Sequence, residues 1–332
     1  MFDLLIRKGT IYDGSGRKEA IRTTDIGITD GKIKVIGNLA DAEAQEIIDA
    51  SEKVVTPGFI DPHGHSDMSL LANPQAESLV RQGITAQISG QCGASPFPVT
   101  EKAKEEHAKD LKELDLDLTW SSMGGYRKAI EYRGIAINSG ILVGHGTVRA
   151  CVCGYDAIKP NESQMKEMVA LVDREMSEGA LGFSSGLQYS PGHYAEPWEL
   201  IPLARAAAQK GGIYTTHMRS EGNRLFESIE ESIMVAREAG ITLEIAHLKS
   251  SGKPNWGKMD HALEMIEAAE KEGIDIAFDR YPYLAGSTSM SIYFSPAMLE
   301  GGREKMLERI SDPKLRPEIR KHMDETVNRA LG

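Results

Sequence analysis

The sequence is short of cysteine, poor in net positive charge and without any long apolar run. Its three cysteines, Cys92, Cys151 and Cys153, are too few for a disulfide framework in 332 residues and point to a reducing compartment or to metal work. Acidic residues outnumber basic ones for a formal charge of −11, and no basic cluster offsets it. Nucleic acid and anionic membrane surfaces are therefore poor partners. The first residues, MFDLLIRKGTIYDG, turn charged too soon for a secretory signal, and no segment approaches the roughly 20 apolar residues that cross a bilayer. What remains is a soluble, cytoplasmic globular protein, with enough hydrophobic residues (41%) for a sizeable core.

Two patterns follow each other along the chain. Residues 1–56 carry short β-like pieces at Phe2–Ile6, Thr10–Tyr12, Asp25–Ile28, Lys32–Ile36 and Ala44–Ile48. DGSG (13–16) and TDGK (29–32) read as turns between them, which predicts part of a small β-sandwich domain. From residue 57 to 332, apolar runs alternate with amphipathic helices. Gly83, Gly134, Gly179, Gly212, Gly240 and Gly273 mark the helix-to-strand junctions. Asn161 with Gln164 suits a helix start, and Leu225, Ile229, Ile233 and Ala236 share one helical face. Seven strands are expected, at Gly58–Asp61, Ile84–Ser89, Gly140–Val143, Ala180–Ser184, Ile213–Thr216, Leu243–Ala246 and Ile274–Asp279. The fold class is thus α/β, with a (β/α)8 TIM-type barrel favoured over a doubly wound sheet. An eighth strand is missing: residues 298–330 read as helical, so the chain is expected to be C-terminally truncated.

Five of nine histidines, His63, His65, His145, His217 and His247, fall at the C-terminal ends of these strands, the face on which barrel enzymes carry their active sites. A single strand-end histidine is ordinarily a hydrogen-bonded core residue, but five on several units weaken that reading. His63 and His65 alternate on an extended segment and can face one ion. Cys92, in Gly90-Gln-Cys-Gly93, follows the second strand; a thiolate is a soft zinc ligand that can also bridge two cations. One Cys with His217 and His247 makes a three-ligand zinc set with an open position, the catalytic pattern. Cys151 and Cys153 have no nearby His and read as structural.

PGFIDPHGHSD (57–67), GQCG (90–93), LVGHGTVR (142–149), GALGFSSGLQY (179–189), YTTHMRSEG (214–222), IAHLKSSG (245–252) and DRYPYLAGST (279–288) occur in an order that resembles the amidohydrolase superfamily and, within it, the D-aminoacylase group. The resemblance implies zinc-dependent hydrolysis of the amide of N-acyl-D-amino acids, a small-molecule substrate class. It implies tight zinc on Cys92, His217 and His247, and a weaker position lined by His63 and His65. It gives Lys249, Tyr281 and Ser287 to the substrate carboxylate, and to His145 only a structural hydrogen bond. The group's catalytic aspartate lies in a Ser-Asp-Gly context after strand eight. Asp312, in Ser-Asp-Pro within a charged helical run, does not suit that role, so the general base and a substrate-binding arginine are expected beyond residue 332. Two alternatives accompany this reading: a metal-binding, non-catalytic fragment or scaffold, and a related cyclic amidase or deaminase.

Overall fold

The computed structural model describes the backbone of residues 1–331 and the side chains of residues 1–326. The chain divides into two compact units, Met1–Phe59 and the remainder from Ile60 onward.

The first unit is a five-stranded sheet. β1 (Phe2–Ile11), β2 (Arg22–Thr29), β3 (Lys32–Gly37) and β4 (Ala44–Asp49) lie in the order β3-β2-β1-β4, and β5 (Val54–Val55) also pairs with β1. The two pieces expected at 2–6 and 10–12 are one strand. What separates them is a bulge: the β1–β2 register shifts between Ile6 and Gly9, and Lys8 takes a φ of 59°. The buried Asp25 carboxylate holds this kink, accepting the N–H of Lys8 (2.8 Å) and of Leu39 (2.9 Å). Of the two expected turns, Asp30-Gly31 forms a two-residue hairpin with both φ values positive. DGSG instead opens a longer connection containing a short helical turn at Lys18–Ala20.

The second unit contains seven βα units of a TIM-type barrel. Three strands, β6 (Phe59–Asp61), β7 (Ile84–Ser89) and β8 (Asn138–Ile141), form one group. β9 (Val143–Gly144), β10 (Gly182–Gly186), β11 (Ile213–His217), β12 (Leu243–Ile245) and β13 (Ile276–Phe278) run side by side in the other. Only Leu142 separates β8 from β9, and its N–H bonds Ser89 O, so residues 138–144 join the groups into one run of neighbours in chain order. Every pairing from β7 to β13 is parallel, and the seven expected strands all appear, shifted by at most a few residues.

Local chemistry accounts for the elements between them. Asn161 and Gln164 form a capping box at the start of the helix Glu162–Ser177, which buries Met168, Leu171, Val172 and Met176. The helix Leu225–Ala239 buries Leu225, Ile229, Ile233 and Ala236 and ends at Gly240, φ 67°. At the 211–212 junction the left-handed residue is Gly211 rather than the expected Gly212. The helical run expected over 298–330 is broken into Pro296–Leu299, Gly302–Ser311 and Arg316–Leu331. Gly301 (φ 80°) starts the second piece, and Pro313, which has no N–H to donate, follows its end. Strands in the middle of the sheet are sealed; β10 is buried throughout. The two end strands are not: Ile60 and Phe278 are 66% and 47% exposed. No helix among the described residues is long and apolar enough to cross a membrane.

Candidate metal centre

The C-terminal ends of the strands converge at the bottom of a cleft of about 1410 Å³, lined among others by His65, Cys92, His217, His247, Lys249, Tyr281 and Ser287. Cys92 sits at its floor. Its Sγ lies 3.4 Å from His63 Nε2 and 3.5 Å from His247 Nε2. Two donors of a tetrahedral zinc, sulfur at about 2.3 Å and nitrogen at about 2.0 Å, are about 3.5 Å apart, so this spacing suits a shared ion.

The orientation of each imidazole is set from behind. His63 Nδ1 lies 2.7 Å from Asp279 Oδ2, and His247 Nδ1 lies 2.6 Å from Glu221 Oε1. Burial raises the Glu221 carboxyl, but the hydrogen bond from His247 and the charges of His217 and Lys249 outweigh it and bring it down to about 2. Lys249 Nζ approaches the same Nδ1 at 2.9 Å, so that side of the ring is occupied and Nε2 is the nitrogen turned towards the sulfur. Asp279 also accepts the backbone N–H of His247 at 2.7 Å. That bond holds His247 at φ 39°; Cys92, at φ 55°, is likewise left-handed. Non-glycine residues so placed cost about 1–3 kcal/mol each and cluster at functional sites.

His217, 6% exposed, ends β11 with its ring 4.4 Å from that of His247. Its Nε2 is buried without any hydrogen-bond partner, and burial pushes the imidazole down to about 3. An uncharged ring with an orphaned buried nitrogen fits a cation. His65 is held down to about 4, first by burial and then by the charges of His63 and His247. Its ring is 5.3 Å from that of His63, but it belongs to neither trio of close potential ligands, His63–Cys92–His247 or His217–Glu221–His247. The second trio already holds a cation of its own: Lys249 Nζ is 2.5 Å from Glu221 Oε1. Burial, chiefly, pushes the Cys92 thiol well above its usual range, with the carboxylates of Glu221 and Asp279 adding to it.

Of the expected substrate groups, Lys249 is half-buried and turned inward, donating to Glu221 and to His247 O (2.8 Å). Its Nζ stands 5.5 Å over the Tyr281 ring, which Arg280 also faces at 4.9 Å. Ser287 is exposed on the cleft wall. His145 has no part in the cleft: fully buried, its Nε2 meets Glu199 Oε1 at 2.9 Å, and Arg149 Nη1 meets the other oxygen at 2.5 Å. Cys151 and Cys153 are buried free thiols. Glu221 and Asp279 were not assigned to the site by sequence. Each lies inside a motif that also carries a histidine or tyrosine, Glu221 four residues after His217, a spacing that could have pointed to it.

Comparison with known proteins shows the family. The amidohydrolase family model matches residues 46–332. The chain belongs to the amidohydrolase family. Among its amidohydrolase relatives, D-aminoacylase of Alcaligenes xylosoxydans xylosoxydans is 36% identical over 294 residues, covering 87% of this chain and 59% of the relative. The N-acyl-D-glutamate deacylase of the same organism is 36% identical over 86% of this chain and 58% of its own length. The crystal structure of N-acyl-D-glutamate deacylase from Bordetella bronchiseptica, complexed with zinc and a phosphonate mimic of the tetrahedral intermediate, superposes with a TM-score of 0.79 at 34% identity. It covers 85% of this chain and 59% of that one. The chain therefore spans somewhat under three-fifths of the length of these amidohydrolases.

Proposed function

We propose that the chain is a zinc-dependent amidohydrolase that cleaves the amide bond of N-acyl-D-amino acids to a carboxylate and a free D-amino acid. The observation that carries it is the Cys92 sulfur facing Nε2 of His63 and of His247, with a carboxylate behind each ring. The ligands of the tightly held ion would be Cys92, His217 and His247, leaving a fourth position open to water, with His63 and His65 lining a second, weaker position that Cys92 can bridge. The zinc and N-acyl-D-amino-acid chemistry of the relatives supports the substrate class. A reducing cytoplasm accords with three unpaired cysteines.

Bound at this floor, zinc would supply Lewis acidity, polarising the scissile carbonyl and lowering the pKa of a water. The chain's own residues do the rest. Cys92 provides the anionic donor. Asp279 and Glu221 hold the imidazoles of His63 and His247 with Nε2 turned towards the Cys92 sulfur. Lys249, Tyr281 and Ser287 line the approach and would receive the substrate carboxylate, the lysine as the charged member.

A non-catalytic metal-binding scaffold is the second reading. One observation favours it: the two carboxylates that border the ligand atoms are engaged, Glu221 by His247 and Lys249 and Asp279 by His63 and the His247 N–H, so neither stands ready as general base. Metal analysis of the purified protein, followed by assay of free D-amino acid release from N-acyl-D- and N-acyl-L-amino acids, separates the two. The expected result is stoichiometric zinc and, with a C-terminal segment carrying the expected aspartate supplied, D-selective release that a chelator abolishes. Zinc-loaded protein inert towards every N-acyl-D-amino acid even when that segment is supplied would leave the scaffold.

A further inference from the structure

Gln91, beside Cys92 in sequence, is wholly buried. Its side-chain N–H donates to Pro62 O at 2.9 Å, and its side-chain oxygen accepts from Thr215 Oγ1 at 2.7 Å. Pro62 immediately precedes His63, and Thr215 lies on β11 two residues before His217. One amide group thus ties together the three backbone segments that carry His63, Cys92 and His217. The loop it belongs to needs such restraint. Cys92 is left-handed between Gly90 (φ 76°) and Gly93 (φ 78°), where a Cβ would strike the backbone of Leu142 and of Gly186 respectively. The loop is pinned at both ends, by Asp67 Oδ1 on the Gly90 N–H (2.5 Å) and Ser184 Oγ on the Gly93 N–H (3.1 Å). A left-handed cysteine persists only where its surroundings over-determine it.

We infer that Gln91 is a positioning residue of the metal centre, a buried strut whose two hydrogen bonds set the spacing of the Cys92 sulfur against His63 and His217. It touches neither metal nor substrate and acts through Cys92. This rests on the zinc reading above.

The test is zinc affinity by chelator competition on Gln91→Leu, Thr215→Val and their double variant, together with the thiolate-to-metal charge-transfer band of the cobalt(II)-loaded proteins. Gln91→Leu is expected to weaken zinc about 10–100-fold, as loss of outer-shell support does, and to shift the cobalt band. Thr215→Val, which removes one hydroxyl at constant shape, should weaken it too, while Thr215→Ser restores wild-type affinity. Because the bond is shared, the double variant should be weaker than the poorer single one by much less than the product of the two effects. Thermal midpoints of the zinc-free proteins report folding, and Thr215→Val keeps the test alive if Gln91→Leu does not fold. Wild-type protein that fails to bind zinc would overturn the proposed metal chemistry. Wild-type binding with unchanged affinity and cobalt spectrum in Gln91→Leu and Thr215→Val would overturn the strut alone.

Discussion

Zinc capture by this centre should release the proton of the Cys92 thiol. Burial keeps the thiol protonated far above its ordinary range, with the charges of Glu221 and Asp279 reinforcing it. Only the thiolate binds metal, so loading must drive the proton off. His217 and His65 add nothing near neutrality, because burial holds them uncharged, at about 3 and about 4. The sign follows: affinity rises with pH, and the Cys92 share amounts to about tenfold per pH unit, or 1.36 kcal/mol. Between pH 6 and pH 8 that is about 100-fold. Calorimetric zinc titrations in buffers of different ionisation enthalpy, run on the wild type and on Cys92→Ser, isolate the term. The serine variant should release about one proton fewer and lose one unit of slope in log affinity against pH. Equal proton release by the two proteins would refute the assignment of the sulfur as a ligand.

Replacing Asp279 by Asn should weaken zinc about 10–100-fold in chelator competition, since it removes the anion behind His63 Nδ1 and weakens the acceptor of the His247 N–H. Glu199→Ala strands the fully buried Arg149 and should lower unfolding stability by about 3–5 kcal/mol in denaturant titrations. Burial raises the Glu199 carboxyl, but His145 and Arg149 outweigh it, so its folded pKa is lowered. Its stabilisation is complete above the ordinary glutamate value and should vanish as pH falls through the folded one, seen as a loss of thermal midpoint in acid that Glu199→Gln lacks. Phe183→Ala, which empties a fully buried site between His145 and Tyr214, should cost about 3–5 kcal/mol by the same titration. Exposed apolar side chains on the end strands β6 and β13 should promote self-association, and sedimentation should show it reduced in Ile60→Lys with Phe278→Lys.

The barrel was legible because strand and helix alternate with clear periodicity and because glycines punctuate them, so the positions of β7, β11 and β12 could be read almost to the residue. Residues 2–12 were harder: a bulge leaves no apolar signature, and its cause, the Asp25 carboxylate, lies 17 residues away. The break at 312–313 needed weight given to one proline within an otherwise helical composition. At the site, soft or aromatic donors announce themselves by type, and Cys92, His63 and His247 do come together. The carboxylates behind them do not, because Glu and Asp are common on any surface and only the folded geometry distinguishes Glu221 or Asp279 from a solvated charge. The inward turn of Lys249 is equally invisible in sequence, being set by Glu221 across the β11–β12 loops.

His63 and Asp279 are 216 residues apart, yet they meet at 2.7 Å. During synthesis the amino-terminal partner therefore waits, its imidazole unsupported, until the ribosome has delivered six more barrel strands. Until Asp279 arrives, neither the ring of His63 nor the backbone of His247 has the carboxylate that fixes it, so the last strand delivered completes the first.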